Sequence, residues 1–143
     1  YVIQFIFIWA ALTVAAVAFV YQFDLDAPSA TSIIITLAVA AGVGASFARK
    51  EGRAMSKAER RILANLSSAI TFILGIAGYV ALFMLLSGLS LVDLVLVFTA
   101  PGVPIWIFLL IGLAALLLNW ATIYFVAGSL SKQATKQIEK KTP

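Results

Sequence analysis

Four apolar stretches without a charged side chain dominate this sequence. They cover residues 2–21, 31–48, 62–86 and 105–130. An α-helix rises about 1.5 Å per residue, so about 20 apolar residues cross the roughly 30 Å hydrocarbon layer of a bilayer. The pattern predicts four membrane-spanning α-helices.

The composition points to the same class of protein. Hydrophobic residues make up 63% of the chain and charged residues 11%, whereas about a quarter of the residues in soluble domains are charged. A water-soluble fold would have too little polar surface to cover itself. We therefore predict an all-α fold, in which residues 1–143 form a single integral membrane four-helix bundle.

The positive charges predict the orientation. Of the ten Lys and Arg residues, six lie in residues 49–61 and four in residues 132–141. Short loops rich in Lys and Arg stay in the cytoplasm, so the loop 49–61, the tail 131–143 and the N-terminus are predicted to be cytoplasmic. This clustering beside apolar stretches differs from the basic stripe of nucleic-acid-binding proteins, and we expect no nucleic acid. The tail could also attract anionic lipid headgroups.

The cytoplasmic loop contains local signals for a helix end and a helix start. Gly52 tolerates the left-handed conformation that ends many helices. Ser56 and Glu59 form an S-x-x-E capping box, in which each side chain satisfies a backbone amide of the first turn. The third helix is predicted to start near Lys57, in water.

Two connections are predicted to lie on the outer face. Residues 87–104 are too apolar for an ordinary loop and too short to cross the membrane. Ser90 and Asp93 offer a second capping pair there, so we expect a short interfacial or partly re-entrant helix. Asp24 and Asp26 are expected in a solvated turn, because two carboxylates give too few oxygens for calcium.

The side chains that usually hold cofactors are absent from this chain. It contains neither Cys nor His, which removes the usual ligands of haem, zinc and copper and the usual general base. No apolar stretch contains an ionisable residue of the kind that ion transporters place at membrane depth. We expect no cofactor, no metal and no enzymatic activity.

Small and amide residues inside the apolar stretches are candidates for packing or partner contacts. The candidates are Ala38, Gly42, Ser46, Gly75, Gly78, Asn65 and Asn119. Ala38, Gly42 and Ser46 are spaced four apart, which lets another helix approach closely. The two asparagines could form interhelical hydrogen bonds or belong to a substrate site.

Aromatic residues near the ends of the stretches indicate the membrane boundaries, because amphipathic rings prefer the headgroup level. Trp106 is predicted to belong to an outer belt, and Trp120 with Tyr124 to an inner one. Trp9 lies somewhat deeper along its stretch.

The loop and its flanks also carry a resemblance. Residues 44–68 read GASFARKEGRAMSKAERRILANLSS and resemble a family of small four-span proteobacterial inner-membrane proteins of unassigned function. The matching positions include Gly52, Arg53, Ser56 and Glu59. The resemblance implies a bacterial inner membrane and four spans, and it implies no activity. Arg53 and Glu59 are expected to pair in the loop.

These observations favour a non-enzymatic accessory or assembly subunit that packs against a larger membrane complex, such as a respiratory or photosynthetic one. The alternative is a small homo-oligomeric transporter or channel for a neutral solute, with the two asparagines lining a polar path. The bilayer is the first partner in either case.

The orientation can be tested with reporter fusions. Reporters fused after Arg53 and after Pro143 should be active only as cytoplasmic reporters, whereas fusions near Asp26 and Thr99 should report the outside, because all basic residues lie on one side. Paired alkaline phosphatase and fluorescent-protein fusions measure this. Phosphatase activity from the Arg53 fusion would reverse the orientation.

Overall fold

The described part of the chain consists of helices. The computed structural model describes residues 1–23, 31–99 and 104–140, apart from the side chains of Tyr21, Val97 and Phe98. These ranges form five α-helices and no strand, which confirms the all-helical prediction for them. The helices are α1 (Val2–Gln22), α2 (Thr31–Glu51), α3 (Lys57–Ser87), α4 (Leu91–Thr99) and α5 (Ile105–Glu139). The predicted turn containing Asp24 and Asp26 lies outside the described residues.

Four of these helices are long and apolar enough to cross a membrane, namely α1, α2, α3 and α5. At 31 and 35 residues, α3 and α5 measure about 46 and 52 Å. These lengths exceed the hydrocarbon thickness of a bilayer, so in a membrane the two helices would tilt or project into water. α5 continues without a break into the basic tail, past Lys132 and Lys136.

The connection between α2 and α3 is ordered by the predicted local signals. Gly52 follows α2 with a φ of +65°, and its amide donates to the Ala48 carbonyl. Ser56 Oγ accepts a hydrogen bond from the Glu59 amide at 3.3 Å, and the Glu59 carboxylate accepts one from the Ser56 amide at 2.8 Å. The capping box and the Gly52 helix end are therefore confirmed.

The predicted Arg53–Glu59 pair is also present. Two guanidinium nitrogens of Arg53 donate to the two Glu59 oxygens at 2.6 and 2.9 Å. The hydrogen bond to Glu59 is the main cause that raises the pKa of Arg53 above its usual value. The two side chains are partly exposed, so the pair orders the connection more than it stabilises the chain.

The buried core lies at the end of the long helices nearest this connection. α2 and α5 share the most extensive contact, α3 also packs on α5, and α1 packs on both α2 and α3. The apolar core residues are Phe5, Trp9, Val39, Ala40, Val43, Phe47, Ala48, Met55, Leu63, Ala64, Ile123 and Ala127. α2 thus contributes more of this core than any other helix.

α2 and α5 approach each other closely at Gly44. A Cβ atom built on Gly44 would overlap the carbonyl oxygen of Ala127 and lie 2.9 Å from its Cα. Ala40 and Ala48, one turn to either side of Gly44, are fully buried. Small side chains let the two backbones approach this closely, which increases dispersion contacts between helices in lipid.

α1 joins the core through two aromatic residues one turn apart. Phe5 is fully buried, and Trp9 is 9% exposed. The Trp9 indole nitrogen donates to Thr36 Oγ1 on α2 at 3.3 Å. Trp9 is therefore a core residue that joins α1 to α2, rather than one facing the bilayer.

The opposite halves of the long helices expose their apolar side chains. On α3 the residues from 73 to 87 are exposed or half-buried, and so are residues 105 to 118 on α5. Exposed leucines of this kind suit a hydrocarbon environment, because lipid tails are as apolar as leucine. α4 begins with the predicted Ser90–Asp93 pair, whose hydrogen bonds lower the pKa of the Asp93 carboxyl.

Substitution of Gly44 tests the contact between α2 and α5. Gly44→Ala should destabilise the protein by about 1–3 kcal/mol, because its methyl group meets backbone atoms, which cannot rotate away as a flexible side chain can. The free energy of unfolding can be measured by titration with dodecyl sulfate in mixed micelles, followed by circular dichroism. Gly42→Ala is the matched control, since a Cβ there meets nothing within 4 Å. Equal destabilisation by both changes would contradict this packing.

Candidate functional site

The interface between α3 and α5 contains the main polar contacts between long helices. Asn119 Nδ2 on α5 donates to Thr71 Oγ1 on α3 at 3.0 Å and lies 3.5 Å from Ser68 Oγ. Ser68 Oγ donates in turn to the carbonyl of Leu116 at 3.2 Å. Thr71 is 3% exposed. Asn119 therefore joins the two helices at a depth without charged groups.

A second polar contact lies about one helical turn closer to the charged connection. The Trp120 indole nitrogen donates to Asn65 Oδ1 at 2.6 Å. The Trp120 ring stacks on the Tyr124 ring, with centroids 5.2 Å apart and an interplanar angle of 9°. This contact joins the predicted inner aromatic belt on α5 to α3.

Asn65 and Asn119 thus each bond across the α3–α5 interface and do not bond to each other. Their amides are engaged by hydroxyl or indole partners, an arrangement that holds helices together in lipid. Two buried hydroxyls among the described residues, Ser67 Oγ and Thr13 Oγ1, have no hydrogen-bond partner. Packing of the described residues leaves these two hydroxyls unsatisfied, together with Arg60 Nε.

Arg60 lies across α5 at the boundary between the charged and apolar parts of the chain. A Cβ atom built on Gly128 would overlap Arg60 Cδ, so the absent side chain of Gly128 makes room for this arginine. The Arg60 guanidinium lies 5.6 Å from the centre of the Tyr124 ring, within cation–π range. Its Nε atom is buried and has no hydrogen-bond partner.

A hydrogen bond from the backbone of the charged connection to a side chain of α5 joins the two segments. The Met55 amide donates to Ser131 Oγ at 3.2 Å, and Ser131 Oγ donates to the Gly128 carbonyl at 2.9 Å. Met55 is 3% exposed and belongs to the apolar core. The connection is therefore part of the packed end of the molecule.

Aromatic contacts extend this packed end to α1. Arg53 lies 5.1 Å from the centre of the Phe47 ring, and the Tyr1 ring packs on Phe47 with centroids 5.0 Å apart. The Tyr1 hydroxyl donates to Glu51 at 3.2 Å. The first residues of α1 and the charged connection consequently lie at the same end of the molecule.

The small residues singled out from the sequence lie mainly outside these contacts. Ala38, Gly42, Gly75 and Gly78 are exposed, and Ser46 is half-buried. No atom lies within 4 Å of a Cβ built at any of the three glycines. In the part of the chain that the structure describes, the three glycines therefore do not mediate close helix packing. A role of these five positions in partner contacts stays a prediction.

Sequence reasoning missed the small residues that do pack. Ala40, Gly44 and Ala48 are also spaced four apart on α2, so the same pattern occurs twice on this helix, about half a turn apart. Only the second set faces α5. The roles of Gly128 and Ser131 could not be found from such spacing, because their partners Arg60 and Met55 are distant in sequence.

No candidate metal centre is present in the described ranges. They contain no group of three or more His, Cys, Asp or Glu side chains that could hold a metal ion. The carboxylates of Glu51, Glu59 and Asp93 bond to Tyr1, Arg53 and Ser90 at the helix ends. The fold and these contacts describe an all-helical protein with four candidate membrane-spanning helices.

Comparisons with protein-family models, with curated proteins and with solved structures find no match. The resemblance of residues 44–68 to small four-span inner-membrane proteins therefore stays a prediction.

A double-mutant cycle tests the Asn119–Thr71 hydrogen bond. Asn119→Leu and Thr71→Val should show a coupling energy of about 0.6 kcal/mol and at most about 1.7 kcal/mol, as for other hydrogen bonds between membrane helices. Unfolding in mixed micelles measures it. The control cycle pairs Asn65→Leu with Thr71→Val, which share no hydrogen bond and should not couple. Equal coupling in both cycles would mean that a general rearrangement, not this bond, is measured.

Proposed function

We propose that this protein is a non-enzymatic accessory or assembly subunit that packs against a larger membrane complex, with respiratory and photosynthetic complexes as the first candidates. The proposal places it in a bacterial inner membrane as a four-helix bundle. Both termini and the Gly52–Ser56 connection lie in the cytoplasm, and α4 lies at the outer interface. The ten-to-zero distribution of Lys and Arg supports this orientation.

The observation that carries the proposal is the set of small residues left without a neighbour. Gly42 on α2 and the pair Gly75 and Gly78 on α3 each have open space where a side chain would be. Such positions permit close approach of a further helix. They lie among exposed apolar side chains such as Leu37 and Leu74, which a lipid chain or a partner helix would cover.

The available polar chemistry supports a binding role over catalysis. Acid–base and nucleophilic catalysis require paired groups at a protected depth. The buried polar residues of the described spans all carry hydroxyl groups. The hydroxyls of Ser68 and Thr71 donate to backbone carbonyls, and the half-buried Asn119 amide donates to Thr71. The exposed basic tail adds a possible electrostatic attraction to anionic headgroups.

One observation favours the second candidate, a homo-oligomeric transporter or channel for a neutral solute. The buried hydroxyls of Ser67 and Thr13 have no hydrogen-bond partner, and a polar solute or water could bond to them. The proposal of an accessory subunit is preferred because the Asn119 amide already bonds to Thr71. That bond leaves Asn119 less available to a passing solute.

The test is gentle extraction of the tagged protein from its native membrane, followed by mass spectrometry of the accompanying proteins. We expect a defined set of larger membrane proteins to accompany it. Gly42→Leu and Gly78→Leu should each remove these proteins, because a leucine there displaces a closely packed partner helix while meeting nothing in the chain itself. Stability in micelles should stay unchanged. Ala114→Leu, a similar enlargement at an exposed position on α5, is the matched control.

A different result would establish the alternative. If the protein is a homo-oligomer free of other proteins, exchanges a solute in liposomes and loses that exchange in Asn119→Leu, the accessory role is wrong. Retention of the same partners by both glycine variants would also contradict the proposed docking faces.

A further inference from the structure

We propose that the cytoplasmic end of the α3–α5 interface binds the headgroup of an anionic phospholipid. The site consists of Arg60, Arg61 and Asn65 on α3, with Trp120 and Tyr124 on α5. This site differs from the basic tail, because its arginines lie beside aromatic rings near one membrane boundary. It also does not depend on a partner complex.

The position of these residues along α5 matches a membrane boundary. Tyr124 follows Trp106 by 18 residues, which corresponds to about 27 Å of helix. This length is close to the roughly 30 Å of the hydrocarbon layer. Rings of Trp and Tyr prefer the two headgroup boundaries. If Trp106 lies at one boundary, Tyr124 and the guanidinium of Arg60 above it lie at the other.

The arginines at this boundary have no ion-pair partner among the described residues. The single ion pair among the described residues joins Arg53 to Glu59. Neither Arg60 nor Arg61 forms a hydrogen bond or ion pair with a described residue, and Arg61 is exposed. Arg61 is also the last charged residue on α3 before its long uncharged part. Two adjacent, uncompensated arginines at the headgroup level complement the negative charge of a lipid phosphate.

The neighbouring contacts fix these groups in place. Arg60 is held against Gly128 and the Tyr124 ring, which keeps its guanidinium at the α3–α5 interface. Asn65 is exposed, and its Oδ1 accepts from Trp120. That hydrogen bond leaves the Asn65 Nδ2 group as a donor without a partner among the described residues. Because Asn65 lies one turn after Arg61, both side chains occupy the same side of α3.

These features favour a lipid over a protein segment as the occupant. Arg60 and Arg61 lie at the charged end of α3, whereas Trp120, which bonds to Asn65, lies about one turn further along α3 into its uncharged part. An anionic phospholipid has the same order of chemistry, with a phosphate followed by an apolar chain. An acidic protein segment would pair with the arginines but would not contact aromatic rings at membrane depth.

Trp120 itself provides the probe for a test. In a Trp9→Phe, Trp106→Phe background it is the only tryptophan, and brominated acyl chains quench its fluorescence when they are adjacent. Vesicles containing phosphatidylcholine and phosphatidylglycerol, with bromine on one lipid at a time, give the relative affinity near Trp120. We expect at least about a fivefold preference for phosphatidylglycerol, the effect of roughly one basic residue near a membrane surface.

Three variants separate this site from general surface charge. Arg61→Gln should abolish most of the preference, and no described contact depends on Arg61, so the fold should be kept. Gly128→Ala should also lower the preference while every charge is retained, because its methyl group displaces the Arg60 side chain. Lys50→Gln, at the exposed end of α2, is the charge-matched control and should leave the preference within about twofold.

Each other outcome overturns the proposal. Equal quenching by both lipids would show that the patch does not select an anionic lipid. Equal losses in Arg61→Gln and Lys50→Gln would show diffuse attraction rather than a site. If the single-tryptophan background does not fold, the chain with all three tryptophans is used instead. Native mass spectrometry then compares the lipids bound by this chain with those bound by its Arg61→Gln variant.

Discussion

The arrangement of the helices depends on the close approach of α2 and α5 at Gly44. Hydrophobic exclusion from water does not bring helices together inside lipid, so dispersion contacts between closely spaced backbones must do so. The absent side chain of Gly44 lets the backbone of Ala127 approach. α1 then packs on α2 through Phe5 and Trp9, and α3 packs on α5 beside Gly128. A larger residue at Gly44 would separate the two helices on which the others rest.

Polar contacts fix the relative positions of the helices that this apolar contact brings together. They change from charged to neutral with distance from the charged connection. Near the charged connection, the ion pair of Arg53 and the backbone bond from Met55 to Ser131 fix the ends of α2, α3 and α5. Deeper, neutral groups such as Asn119 and Thr71 bond across helices. Ionised groups at that depth would lose their hydration, which costs several kcal/mol per ion. The order from charged to neutral groups follows that cost.

The sequence allowed correct prediction of those features that depend on local chemistry. Uniform apolar stretches predict long helices, and the Ser56–Glu59 box needs only four consecutive residues. It could not show which face of α2 is buried, because a helix that is apolar all round has no distinct inner side. α2 has two rows of small residues, one through Gly42 and one through Gly44. The sequence therefore did not show which of them packs against another helix. The core position of Trp9 was missed for the same reason, since its indole needed a partner on another helix.

Exposed apolar surface alone does not require a protein partner for this chain. Every backbone group inside a membrane helix is satisfied within that helix, so lipid can cover the outer halves of α3 and α5. Glycine is different, because it costs a water-exposed helix about 1 kcal/mol relative to alanine. Gly44 and Gly128 offset such a cost through close packing inside the chain. Gly42, Gly75 and Gly78 have no such contact with the described residues, so they leave room for the close approach of a further helix.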